Sequence, residues 1–75
     1  MENTAEKFAA ARRASGMTLA KAAESAGIRS INTYTGREDD PLQFRLGELK
    51  GMYDSMDNIG RPLLLEAVTD IFLPS

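Results

Sequence analysis

Residues 17–38 read MTLAKAAESAGIRSINTYTGRE, and the rest of the chain is arranged in support of them. Thr18 is a good N-cap, because its hydroxyl can accept a hydrogen bond from one of the unpaired N–H groups of a first helical turn. Leu19, Ala22, Ala23 and Ala26 then recur at helical spacing and give one mainly apolar face. Gly27 ends that helix, since glycine takes the left-handed backbone conformation at little cost. Ser30 caps a second short helix, Ile31 to about Thr35, which Gly36 and the acidic turn Glu38-Asp39-Asp40-Pro41 are expected to stop. Two short helices across a tight glycine-containing turn, at about 18–36, form a helix-turn-helix, whose second helix can lie in the major groove of DNA.

Outward from this stretch the pattern stays helical. Asn3 or Thr4 can cap a first helix running to about Ser15, where alanine at 5, 9, 10, 11 and 14 is a strong helix former and Phe8 marks the inward side. A fourth helix from about Arg45 to Ser55 is marked by Leu46, Leu49, Met52, Tyr53 and Met56. Gly47 and Gly51 weaken it by roughly 1 kcal/mol each relative to alanine, and most simply permit close approach of another backbone. A fifth helix, about 59–73, carries Leu64, Val68, Ile71 and Phe72 as one apolar stripe, widened by Leu63, Leu65, Ala67 and Leu73. That band has two readings. It closes a small core, which a domain this short needs, or it forms a homodimer interface. The expected fold class is all-α, a five-helix bundle in one domain spanning 1–75.

Composition excludes several function classes. The chain has no Cys and no His, which removes disulfides, thiol and imidazole chemistry, and the usual zinc ligands. Asp39-Asp40 lack the spacing and glycine of a calcium loop and read as a solvated acidic turn. No phosphate-cradling glycine motif is present, and 75 residues hardly enclose a ligand pocket. The expectation is a protein that is not an enzyme, with no cofactor, no metal and no small-molecule substrate. No apolar run approaches a membrane span and the N-terminus does not read as a signal peptide, so a cytoplasmic location is expected, with no membrane partner.

Charge is unevenly spread. The formal net charge is −2. Between Lys7 and Arg37 six cations (Lys7, Arg12, Arg13, Lys21, Arg29, Arg37) face the single acid Glu24, whereas residues from Glu38 onward are strongly acidic. This asymmetry is either an electrostatic footprint for phosphate or a chance clustering on an ordinary solvated surface.

The residues also resemble a known family. Arg12-x-x-x-Gly16-Met17-Thr18, Ala23-x-x-Ala26-Gly27-Ile28, Ser30-x-x-Thr33-Tyr34, Glu38 and Pro41-x-x-Phe44-x-Leu46-x-x-Leu49 together are similar to the phage repressor and Cro-type (XRE-like) helix-turn-helix proteins, from about Phe8 to Met56. The resemblance implies a lambda-repressor-like bundle and a phage- or mobile-element-type transcription regulator that binds double-stranded DNA. It also implies that Ile28 and Tyr34 are core, and that Arg12 and Glu38 form a structural ion pair. The chain departs from the family pattern at Leu19, Ile31, Gly36 and Arg37, and its turn Gly27-Ile28-Arg29-Ser30 is one residue longer.

On that reading Asn32 is placed to pair with adenine, Thr33 and Thr35 to donate to bases or phosphates, and Arg29 or Arg37 to reach phosphate or guanine. Lys21 and Arg13 are phosphate anchors. Leu64, Val68, Ile71 and Phe72 are the expected dimer contacts. The alternative is a helix-turn-helix fold used as a protein-interaction module, an antitoxin or partner subunit, working through its apolar last helix. A third reading is a structural fragment of a larger assembly.

Overall fold

A computed structural model of the chain describes residues 4–73, which form five α-helices and one 3-10 turn with no strand among them. The helices are α1 (Thr4–Ala14), α2 (Leu19–Ala26), α3 (Ile31–Asp39), α4 (Leu46–Ser55) and α5 (Gly60–Phe72), with the 3-10 turn Pro41–Gln43 between α3 and α4. The Asn3 cap expected for α1 lies outside the described residues; Thr4 is already helical and buried.

Local chemistry explains most of these boundaries. Among the described residues Gly16 and Gly27 are the two with positive φ, at 72° and 76°. Around Gly27 the N–H of Ile28 donates to Ala23 O at 2.9 Å and that of Gly27 to Glu24 O at 3.0 Å. The same pair of bonds recurs at Gly16, from Met17 to Arg12 O and from Gly16 to Arg13 O. Both are Schellman endings, and in each the following apolar residue, Ile28 or Met17, is buried. Thr18 Oγ1 accepts from Lys21 N at 3.0 Å, and Ser30 Oγ accepts from Thr33 N at a longer 3.4 Å. At α4 the Glu48 carboxylate accepts from Arg45 N at 2.9 Å; only this half of a capping box forms, because a guanidinium has no acceptor to offer in return. Asp57 Oδ1 accepts from both Ile59 N and Gly60 N and starts α5.

The core lies where α1 packs on α5 and α2 packs on α4. Phe8, Tyr34, Met52 and Leu64 are its largest buried side chains, with Ala22, Ala23 and Ala26 lining the inner face of α2. Phe44 seals one side, stacked on Phe8 at 5.1 Å between ring centroids and edge-on to Tyr34 at 6.0 Å. A Cβ at Gly51 would lie 2.3 Å from Ser25 O, so the glycine is what lets α4 approach α2. Gly47 has no such neighbour, which limits the close-approach reading to Gly51.

Several expectations need correction. Gly36 does not stop α3; the helix runs on to Asp39, taking Glu38 into its last turn. Glu38 is 8% exposed rather than part of a solvated turn, and Pro41 is buried as well, while Asp39 and Asp40 remain in solvent. Leu46, one of the apolar residues that mark α4 in the sequence, is 84% exposed. Leu64, expected at a dimer surface, is 1% exposed and belongs to the chain's own core.

Candidate nucleic-acid interface

α3 is anchored on one side and open on the other. Tyr34 and Glu38, one turn apart, face inward and are buried. Arg12, in the last turn of α1, holds Glu38 with Nε at 3.0 Å from Oε2 and a second guanidinium nitrogen at 3.4 Å from Oε1. The Tyr34 hydroxyl is buried within reach of the Glu38 carboxylate but in no hydrogen bond of good geometry. Burial, and then the negative charge of Glu38, push its pKa well above the usual phenol range, so the ring is neutral at any working pH. This inner side fixes the orientation of the helix.

The outer side carries Arg29, Ser30, Ile31, Asn32, Thr33 and Gly36, all exposed. Asn32, Thr33 and Gly36 lie on one face of α3, and Arg29 in the bend that precedes its N-cap. Thr35 is less available: it is half-buried and its Oγ1 donates to Ile31 O at 2.9 Å, within the helix itself. Arg37 is half-buried and donates from Nε to Glu48 Oε1 at 3.2 Å. That same Glu48 oxygen accepts from Arg45 N, so one carboxylate ties the last turn of α3 to the start of α4. Arg37, expected to reach phosphate or guanine, is thus tethered through Nε to Glu48.

The basic run from Lys7 to Arg37 is largely neutralised by partners. Lys7 pairs with Asp70, Arg12 with Glu38, Arg37 with Glu48, Lys21 with Glu24 and Arg13 with Glu6. Three of those carboxylates lie beyond residue 37, so the cationic segment and the acidic segment fold onto each other instead of forming two opposed ends. The Lys21 and Arg13 pairs are exposed and each is worth little, so both side chains stay available to exchange partners. Arg29, alone of that segment, has no carboxylate within ion-pair distance among the described residues.

A second feature is apolar. Leu46, Leu49, Tyr53, Leu64, Leu65 and Val68 line a groove of about 290 Å³ between α4 and α5, with Lys50 at its rim. It continues past Leu46 and Val68 into a neighbouring depression bordered by Leu42, Phe44, Ile71 and Phe72. Leu46, Leu65, Phe72 and Leu73 stand exposed around it. Of the expected dimer residues, Phe72 is on this surface, Val68 and Ile71 are half-buried along its floor, and Leu64 is beneath it. Leu42 and Leu46 were not anticipated here. They sit on separate elements, the 3-10 turn and the start of α4, with the extended residues Phe44 and Arg45 between them, so no helical spacing links them.

Among the described residues no cluster of three or more acidic side chains is placed to hold a metal, and no helix is long and apolar enough to cross a membrane. No family model, curated protein or solved structure matches the chain.

Proposed function

We propose that this chain is a small DNA-binding transcription regulator of phage or mobile-element type. In this reading α2, the Gly27–Ser30 turn and α3 act as a helix-turn-helix, with α3 lying in the major groove. The observation that carries it is the two-sided character of α3. Its inner side is locked by Tyr34 and the Arg12–Glu38 pair, and its outer side offers Asn32 and Thr33 to solvent, with Arg29 exposed in the bend just before it. A side chain that reads bases must be held at a fixed position but left unpaired by its own protein. Asn32 and Arg29 meet that condition; Lys21 and Arg13 supply phosphate contacts once their weak surface pairs open.

The regulator works as a homodimer through the α4–α5 face. Exposed Phe72 and Leu73 stand beside the groove that Leu46, Leu49 and Val68 line, so knob and groove share one surface, the condition for an isologous two-fold contact. The test is fluorescence anisotropy of the full chain with short duplex DNA across a salt series. Binding is expected to fall steeply as salt rises, with Arg29→Ala lowering the log–log slope by about 1 and Asn32→Ala relaxing sequence preference. Binding that ignores salt and both substitutions rejects the reading.

One observation favours a second reading. With most of its basic run paired internally and a large apolar surface open, the fold also suits a protein-interaction module such as an antitoxin or partner subunit. Loss of a partner protein on Leu46→Ser, in a chain that shows no affinity for duplex DNA, would select that reading.

A further inference from the structure

Gly36 is a glycine that the fold does not require. It is the sixth residue of α3, exposed, and helical in backbone, the positive-φ glycines being Gly16 and Gly27. A Cβ built there meets no atom within 4 Å, in contrast to Gly51 and Gly60, where it would strike Ser25 O or Ser15 Oγ. Gly47 is also open but lies in the first turn of α4, outside a helix interior. Glycine inside a helix is less favourable than alanine, so Gly36 weakens α3 with no return inside the chain.

Its position indicates where the return lies. Asn32 and Thr33 lie one turn before Gly36, at the i−4 and i−3 positions of one helix face, Arg29 lies in the bend just ahead of the helix, and all four are exposed. Arg29 is the cation of the basic run left without a carboxylate among the described residues, so this face suits a polyanion. The DNA major groove is about 12 Å wide and a helix with its side chains about 10–12 Å across, so one side chain on the leading face sets how deep the helix sits. We propose that Gly36 is the point of closest approach between α3 and the major groove, seating the helix deeply enough for Asn32, one turn earlier, to read an adenine through N6 and N7. This rests on the DNA-binding reading and adds to it a depth-setting residue and a named base.

The experiment uses the full chain and a pool of short labelled duplexes randomised at their central positions, from which the wild type enriches a preferred sequence. Gly36→Ala is expected to raise the melting temperature by about 4 °C or more, as a glycine-to-alanine change in an open helix position should. The same variant is expected to bind the enriched duplex about tenfold more weakly. Replacing the contacted adenine by 7-deazaadenine is expected to weaken the wild type and leave Asn32→Ala unaffected. A Gly36→Ala protein that binds as tightly as the wild type overturns the proposal, and so does one that melts lower, because the glycine would then be structural. Equal sensitivity of wild type and Asn32→Ala to 7-deazaadenine removes the adenine assignment. If the wild type binds no duplex at any salt concentration, the DNA reading itself fails; if it binds with steep salt dependence while Gly36→Ala matches it, the failure belongs to Gly36 alone.

Discussion

Arg12 and Glu38 join the last turn of α1 to the last turn of α3, with Nε and Oε2 3.0 Å apart and both side chains largely withdrawn from solvent. The contact spans 26 positions of sequence and sets the angle at which α3 leaves the body of the protein. Glu38→Ala strands a shielded guanidinium. The expected loss is about 2 kcal/mol, or a fall of about 10 °C in melting temperature by calorimetry. The Arg12→Ala, Glu38→Ala double variant should melt above the sum of the two single losses, because neither charge is then left alone.

Tyr34 gives the opposite sign. Its ring packs against Phe44, but its buried hydroxyl makes no well-formed hydrogen bond, the nearby Glu38 carboxylate being engaged by Arg12. Removing an unsatisfied polar atom while keeping the ring should be neutral or stabilising, by up to about 1 kcal/mol. Chemical denaturation of Tyr34→Phe checks this; a clear loss of stability would mean that the hydroxyl has a partner in solution.

Acid sensitivity should trace partly to Asp70. Hydrogen bonds from Thr4 and Lys7 hold its carboxyl below the ordinary aspartate range. A carboxylate depressed in the folded state binds fewer protons than in the unfolded chain, so its contribution is present above about pH 4 and disappears as pH falls through the folded value. Denaturation midpoints measured from neutral pH down to about 3 should therefore fall more steeply for the wild type than for Asp70→Asn.

The apolar surface separates two kinds of leucine. Leu46→Ser and Phe72→Ser change side chains that are 84% and 82% exposed, so the melting temperature of the monomer should barely move while a dimer seen by light scattering is lost. Leu64→Ala removes a fully buried side chain and should cost about 2–5 kcal/mol. Dimer loss from Leu64→Ala without destabilisation would reverse the assignment of inside and outside on α5.

Helix existence was legible because its causes are local. Gly16 and Gly27 each end a helix through bonds to residues within five positions, and Thr18 and Asp57 cap through their nearest neighbours. Gly36 misled for a physical reason. Glycine stops a helix where the chain takes a positive φ, and here Tyr34 and Glu38, both held in the core, carry the helical conformation straight through it.

Spacing and short-range caps were thus enough to establish an all-helical chain, the position of each helix within a residue or two except at the C-terminal end of α3, and which residues were eligible to face solvent on α3. They could not say that Leu64 goes inside while Leu46 stays out, nor that Lys7 is matched by Asp70 at a separation of 63 positions. Those outcomes depend on α1 lying against α5 and α2 against α4, which leaves Leu46 of α4 and Leu65 and Phe72 of α5 uncovered. Packing chose which part of each stripe to bury and which carboxylate met each cation. What it left over, an unpaired arginine, an open glycine and an uncovered groove, is where the proposed activities reside.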